Sequence, residues 1–559
     1  MSGAKPQRNN ALENSAKPQI SSRQARWQDL IAGLSIAGLL LPEAVAYSSI
    51  GNLPPQTGVI ALFAGLVCYG LFGSSRFAIV SATSASAAVL AAATASIANG
   101  DAGFRLTLAI GLVIITGLFF LLAGLARMGN ITDFIAKPVL RGFAFGLSIV
   151  IILKQFSSVV GIHPPNGDTL KLVPALLGQI THWNLVGIAV GAIALALLFL
   201  LGRCKRMPGG LIVLVLGIAA GKWLNLPHYG VGLVGTIQLE LTTPTLPLLS
   251  SSEWVRLCEL GFAMVMILYA ESYGSIRSYA IKHGDTVSPN RDLLALGASN
   301  LLSGLFHGMP VGAGYSATAA NEAAGAQSRL AGWFAALVVL IIVLTILPGI
   351  ALTPEPVLAA IVINAVSHTL NPAIFRPYLA WRRDRLVIVA AVVGVLVLGV
   401  LDGLLAAVGL SLLLLLQRFS ESTITVLGRL GQSHDFVNLT LYPEAQPAPG
   451  ILILRPDEPL FFANVERVMQ QVQRTIAAAD PAVHSVILSL EQSPDLDSTS
   501  LEALHDFYRF VTSQNKRLLL ARLKSPVYDL LQRAVPTDLA VPSFSALSVD
   551  EAVRMAQLP

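Results

Sequence analysis

Between Asp29 and Phe419 the chain is a succession of apolar runs separated by short polar breaks. A helix needs about 20 apolar residues to cross a bilayer. On that measure the runs predict spans near 29–50, 57–73, 104–126, 131–160, 183–202, 208–224, 256–279, 291–306, 329–347, 354–370, 385–400 and 402–419. Two further segments, 78–97 and 313–326, are broken by Ser and Gly at their starts. Each predicts an extended piece followed by a half-helix. The result is two sets of seven elements, and an odd number per set gives the sets opposite orientations in the membrane. The pattern therefore predicts an α-helical membrane protein with a 7+7 inverted repeat, repeat one about 27–224 and repeat two about 253–420, divided into core and gate or scaffold subdomains. After Arg418 the periodicity changes. A polar stretch, 421–448, reads as a linker. Strands at 450–454, 486–490 and 517–521 then alternate with helices at 464–479, 499–514 and 526–534, with a last helix at 549–557, which predicts a small α/β domain over 449–559.

Composition agrees with a membrane protein: 54% of the 559 residues are hydrophobic and only 12% charged, against roughly 25% charged in a soluble domain. The net charge of +5 therefore points to basic loops rather than to nucleic acid. Alternate loops hold Arg76; Arg127 and Lys137; Arg203, Lys205 and Arg206; Arg277, Lys282 and Arg291; Arg329; Arg376, Arg382, Arg383 and Arg385; and Arg418, whereas the stretches 225–252 and 348–356 between them contain no Lys or Arg. Basic loops stay cytoplasmic, so both termini are expected in the cytoplasm. Residues 1–26 are too polar for a signal peptide and read as a disordered cytosolic tail. Cys68, Cys204 and Cys258 fit neither a disulfide framework nor a metal site.

Two distant stretches echo each other. Gly70-Leu71-Phe72 leads, through a small-residue stretch, to Ser81-Ala82-Thr83-Ser84; Gly304-Leu305-Phe306 leads likewise to Ser316-Ala317-Thr318, about 235 positions later. An interrupted segment at matching positions of two halves points to a transporter's binding site. A half-helix N-terminus carries unpaired N–H groups and a partial positive charge, so two aimed at one point hold an anion without Arg or Lys. Ser81, Ala82, Thr83, Ser84, Tyr315, Ser316, Ala317 and Thr318 are the candidate substrate-binding residues, with Tyr47 able to line the pocket; the competing explanation for the small residues is close helix packing. An acid placed mid-bilayer costs about 2.5–3.5 kcal/mol and therefore tends to face a cavity. Glu271 is the candidate for proton or cation coupling, Glu43 its counterpart in the first half and a further substrate-side candidate, and Glu322 is expected to complement the dipole at the start of its half-helix. His283, His307 and His368 read as loop histidines. No nucleophile–base grouping and no phosphate loop is present, so neither an enzyme nor ATP use is expected, and no cofactor or metal.

The chain resembles the SulP family of anion transporters, which join a fourteen-segment membrane domain to a C-terminal STAS domain. The resemblance rests on Leu41-Pro42-Glu43-Ala44-Val45-Ala46-Tyr47, Pro54-Pro55 with Gly58, Gly73-Ser74-Ser75-Arg76, Met207-Pro208-Gly209-Gly210, and Ser316, Asn321 and Gly325. In the C-terminal part it rests on Pro459-Leu460-Phe461-Phe462-Ala463-Asn464 and Asp497-Ser498-Thr499-Ser500-Leu501. It implies a secondary anion transporter (sulfate, bicarbonate, chloride or dicarboxylate class) working by alternating access, homodimeric, with the STAS domain as a contact or regulator. Proton symport is the leading expectation; exchange, sodium-linked bicarbonate uptake, or a regulatory membrane protein signalling through its STAS domain are the alternatives. Glu271 matches an acidic position of bacterial relatives. Glu43 stands where the family commonly has Gln, Ala82 where Pro is common, and Ala317 where many members have Arg. Asp497 in transporters is expected to cap the helix beginning near Thr499.

Overall fold

The computed structural model describes residues 22–98, 101–129, 136–162, 169–203, 209–235, 243–381, 384–421, 423–534 and 548–558. Most of the predicted N-terminal tail, Cys204, Lys205, Arg206, Met207-Pro208, Arg382 and Arg383 lie outside them. The chain forms two units, Met1–Gly409 and Leu410–Pro559.

The first unit is helical. α1 (Ser22–Ile50), α2 (Pro55–Phe72), strand β1 (Val80–Ser81) with α3 (Ser84–Ala98), and α4 (Ala102–Leu125) are followed by α5 (Lys137–Val160), α6 (Thr169–Gly178), α7 (Leu185–Leu201) and α8 (Gly209–Trp223). The second half repeats the order: α9 (Ser251–His283), α10 (Pro289–Leu305), strand β2 (Gly312–Ala313) with α11 (Tyr315–Ala323), α12 (Leu330–Ile350), then α13 (Glu355–Ser367), α14 (Arg376–Trp381), α15 (Arg385–Val397) and α16 (Val400–Ser420). The short helices α6 and α14 were not predicted. They fall at matching places, each after the fifth element of its half, and so extend the repeat. Among the described residues six helical stretches are long and apolar enough to cross a membrane, Arg23–Ile50 and Ala102–Leu125 among them. The Ser- and Gly-broken segments α3 and α11 are shorter, as predicted.

Packing sorts these helices into two bundles. α1, α2, α3, α4 and α9 to α12 pack on one another; α5, α7, α8, α13 and α15 form the second bundle, which meets the first through α1, α3 and α12. Glycines set the closest contact inside the first bundle. A Cβ on Gly117 of α4 would lie 2.6 Å from the backbone nitrogen of Leu301, and one on Gly297 of α10 would lie 2.7 Å from the Leu121 side chain. Gly124 and Gly304, seven residues on along each helix, face similar contacts. Two turns separate each pair, so both lie on one helix face, and small residues there let the two backbones approach closely.

The second unit carries a sheet in the order β4–β3–β6–β7–β8, with β5 also pairing β3. β6 (Ile451–Pro456), β7 (Ser485–Ser489) and β8 (Arg517–Ala521) are parallel, and β3 (Ile424–Leu430) lies antiparallel to β6. Alternation along the strands covers both faces. Leu454, Val486, Leu488, Leu518 and Leu520 pack under α17 (Val465–Ala477), α18 (Ser498–Ser513) and α19 (Ser525–Ala534). Ile451, Ile453, Ile487 and Leu519 pack under α20 (Val549–Gln557). The linker expectation for 421–448 is corrected here: that stretch contains β3, β4 (Phe436–Asn438) and β5 (Ala445–Gln446). These strands lie at one side of the sheet; β4 and β5 are only three and two residues long, and β3, though seven residues long, is interrupted by Thr425, Gly428 and Arg429, so none shows the apolar run that marked the central strands. Asp497 caps α18, accepting from the Ser500 N–H at 2.8 Å, as predicted.

Candidate functional site

The two broken segments meet inside the first bundle. β1 and β2 pair antiparallel, Val80 opposite Ala313 and Ser81 opposite Gly312. Two-residue strands at membrane depth leave backbone groups that no lipid can satisfy, and polar side chains from neighbouring helices take them up. On α9, Ser272 Oγ accepts from the Ala313 N–H at 2.8 Å and Ser275 Oγ donates to the Ala313 carbonyl at 2.7 Å. On α10, the Asn300 amide accepts from the Val311 N–H and donates to the Val311 carbonyl, both at 2.9 Å, while Ser303 Oγ donates to the Met309 carbonyl at 2.6 Å. On α11, Asn321 Nδ2 donates to the Phe77 carbonyl at 2.9 Å. β1 in turn passes so close to α2 that a Cβ on Gly65 would lie 2.3 Å from the Val80 carbonyl oxygen.

The half-helices start differently. α3 is closed by a reciprocal cap: the Ser86 N–H donates to Thr83 Oγ1 at 3.1 Å and the Thr83 N–H donates to Ser86 Oγ at 3.0 Å. α11 starts at Gly314, which offers no side-chain cap. Its first N–H groups are therefore the ones left for another acceptor. Glu271 stands between the two starts. Thr83 Oγ1 donates to Glu271 Oε2 at 3.1 Å, and a Cβ on Gly314 would lie 3.3 Å from Thr83 and 3.8 Å from Glu271 Oε1.

The predicted residues separate around this point. Tyr315, 48% exposed, and Ser316 face open space at the start of α11, and Ser84 is half-buried. Ala317 and Thr318 are turned inward, both buried; Thr318 Oγ1 accepts from the Ile79 N–H at 3.5 Å and serves β1. Ser81 and Ala82 are buried in the strand crossing, where Ser81 Oγ donates to the Ala82 carbonyl at 3.2 Å. Glu43 is 3% exposed on α1, and its Oε1 has no hydrogen-bond partner. Tyr47, one turn on along α1, is buried. The dipole expectation for Glu322 is corrected: α11 is nine residues long, so Glu322 falls in its last turn. There it accepts from Lys282 Nζ at 2.8 Å and pairs with His283 Nε2 at 2.9 Å.

Sequence reasoning missed Ser86, Ser272, Ser275, Asn300, Ser303 and Gly314. Asn300 had a usable signal, because a buried amide in an apolar span is costly for the reason that singled out Glu271. Gly314 had none, since its role is to lack a side chain beside Thr83.

Residues 27–411 match the sulfate permease family, and residues 442–544 match the STAS domain. The chain belongs to the sulfate permease (SulP) family. It is accordingly a membrane anion transporter and not an enzyme. One relative, described as a probable sulfate transporter of Mycobacterium tuberculosis (strain ATCC 25618 / H37Rv), is 32% identical over 523 residues, covering 92% of this chain and 93% of its own. The chloroplastic sulfate transporter 4.1 of Arabidopsis thaliana is 27% identical, covering 95% of this chain and 81% of its own. Among solved structures, the murine Solute Carrier 26 family member A9 anion transporter in the inward-facing state superposes with a TM-score of 0.88 at 21% identity, covering 97% of this chain and 93% of its own. The transmembrane domain of a cyanobacterial bicarbonate transporter, BicA, superposes with a TM-score of 0.62 at 24% identity, covering 70% of this chain and 99% of its own. Both likenesses bear out the fourteen-segment fold, and the first extends through the STAS domain.

Proposed function

We propose that this SulP protein is a proton-coupled symporter of a small anion, with Glu271 as the coupling acid. The observation that carries the reading is the place of the Glu271 carboxyl: hydrogen-bonded to Thr83 at 3.1 Å and beside the uncapped start of α11. An ionised Glu271 would repel an anion at that helix end. A protonated one removes the repulsion and leaves the N–H groups and the Ser316 hydroxyl to hold the anion. Proton and anion then cross together, and the charge carried is reduced by one. The bundle of α1–α4 and α9–α12 holds the complete site, so its displacement against the α5, α7, α8, α13 and α15 bundle would expose the site to each side in turn. The substrate is a small inorganic or carboxylate anion of the sulfate, bicarbonate, chloride or dicarboxylate class. We place the protein in a bacterial inner membrane with both termini cytoplasmic, as a homodimer whose STAS domain is a contact or regulatory surface.

Proteoliposome flux tests this. An imposed inward proton gradient should drive uptake of labelled sulfate or bicarbonate, and Glu271→Gln should abolish the response to the gradient. Unchanged gradient-driven uptake in that variant would refute the coupling role. A second reading, sodium-coupled uptake, rests on Glu43 Oε1, which lacks a partner in the same region. A sodium gradient that drives uptake without any proton gradient would favour it.

A further inference from the structure

Away from the strand crossing, a cavity of about 590 Å³ opens at the start of α1; its walls include Arg23, Arg26, Trp27 and Leu30, with Phe334 of α12 opposite. The two helices run in the same direction there. Asp29 accepts from the Gln327 and Ser328 N–H groups at 2.6 and 2.9 Å and from Ser328 Oγ at 2.6 Å, and one turn further along α1 a Cβ on Gly33 would lie 2.6 Å from Phe334 Cβ. Those bonds occupy the acid nearest the arginines in sequence. Arg23 and Arg26 are exposed and form no ion pair among the described residues. The stretch before α1 holds Lys5, Arg8 and Lys17 against the single acid Glu13, so it adds positive charge rather than cancelling it. α1 is 29 residues long, or about 44 Å at 1.5 Å per residue, whereas a bilayer's hydrocarbon core is about 30 Å thick. The surplus belongs to the end that carries Arg23, Arg26 and Asp29, which puts this end at headgroup level, where the exposed Trp27 is also at home. Below it the chemistry changes. Arg23, Trp27, Leu30 and Leu34 follow at helical spacing and share one face, as do Phe334, Leu337 and Ile341 on α12. Leu34, Leu337 and Ile341 are exposed, so the surface passes from charge through an indole to aliphatic side chains.

We propose that this cavity binds an anionic phospholipid: Arg23 and Arg26 take the phosphate, and Leu30, Phe334 and the aliphatic surface below them take an acyl chain. Guanidinium groups match phosphate oxygens with paired N–H donors. A free inorganic anion would use the arginines and leave the apolar wall without a role. A zwitterionic lipid would bring a further cation to a site that already holds two. An anionic lipid suits both ends. Both walls belong to the bundle of α1–α4 and α9–α12, so the lipid steadies α1 against α12 and does not tether that bundle to the other. The inference needs only that α1 spans the membrane and is independent of the coupling mechanism proposed above.

The test uses the full-length protein purified in detergent. Palmitoyl-oleoyl phosphatidylglycerol is titrated in as mixed micelles, and the rise in apparent Tm reads its binding. Losing one arginine next to an anionic lipid should weaken binding about fivefold, so Arg23→Gln or Arg26→Gln should raise the half-saturating lipid fraction by about that factor and the double variant by about 25-fold. Arg23→Lys combined with Arg26→Lys should keep most of the response. Phosphatidylcholine with the same chains should give little of the rise, and glycerol 1-phosphate and inorganic phosphate, which have no acyl chain, should give none. Equal rises with the two lipids, or a double glutamine variant that responds as the wild type does, would overturn the proposal and leave the arginines as interfacial anchors. A full rise with glycerol 1-phosphate that the double variant loses would overturn the lipid and leave a site for soluble phosphates. Native mass spectrometry makes the same comparison without unfolding: the wild type should retain one phosphatidylglycerol more than the double variant, and equal retention would likewise refute the site.

Discussion

Asn300 offers the sharpest test of how the site is held. It is fully buried on α10 and bonds both backbone groups of Val311, the residue that leads into β2. Asn300→Ala removes both bonds and leaves the Val311 N–H and carbonyl unpaired beside fully buried neighbours. Leaving a buried group unpaired costs about 1–3 kcal/mol, and hydrogen bonds inside membrane proteins measure about 0.6 and at most about 1.7 kcal/mol. Asn300 and Val311 are both fully buried, so the upper part of the membrane range applies. Two groups give a loss of about 2–4 kcal/mol, which for a unit of this size lowers the apparent Tm by on the order of 5 °C. The assay is thermal unfolding of the purified protein in detergent, paired with flux. Maximal uptake should fall too, since β2 aims α11. Asn300→Leu separates bonding from packing: it refills the volume but restores neither bond, so it should be no better than alanine. Recovery of the wild-type Tm by leucine would refute the reasoning and assign Asn300 a filling role.

Three further outcomes follow from other parts of the molecule. Thr83→Ser should keep near-normal uptake, because it retains both the α3 cap and the bond to Glu271; Thr83→Val loses both, should lose about 0.5–2 kcal/mol of stability from the cap alone, and should show an altered pH profile of flux. Gly65→Ala places a methyl 2.3 Å from the Val80 carbonyl oxygen, so β1 must move; uptake should drop at least tenfold, and ordinary flux in this variant would show the strand crossing to be dispensable. In the second unit, burial alone would push the Asp550 carboxyl up, but hydrogen bonds from Arg429 and His434 and the charges of Arg429 and Arg554 outweigh it and hold it below the ordinary carboxylate range. A carboxyl lowered on folding contributes stability that is complete above its unfolded value, about 3.9, and is lost as pH falls through the lower folded value. Hydrogen exchange at α20 should therefore be flat from pH 7 to 5 and accelerate below about 4, and Asp550→Asn should remove that step while costing roughly 1–3 kcal/mol at neutral pH.

The sequence by itself determined the membrane class, the order of the elements, the inverted repeat and the identity of the broken segments. All of these are written in local composition: apolar runs long enough for a bilayer, Ser and Gly where helices break, alternation where the α/β domain begins. It also singled out Glu271, because an acid in an apolar run is costly wherever it sits. What it left open was contact. The β1–β2 crossing joins residues more than 200 positions apart, and only that crossing brings Thr83, Gly314 and Glu271 together. Whether a residue such as Thr318 or Ala317 faces the site or the packing depends on the rotation of α11, and a nine-residue helix has too few turns for periodicity to decide it. The strands in 421–448 are defined by pairing, β3 with β6 and β4 and β5 with β3, which no local pattern announces. Ser272, Ser275, Asn300 and Ser303 read as ordinary polar residues until the backbone they satisfy is placed next to them. Local pattern sets what a segment must be in a bilayer; the pairing of distant backbones, and the side chains that complete it, arises only when both halves are folded against each other.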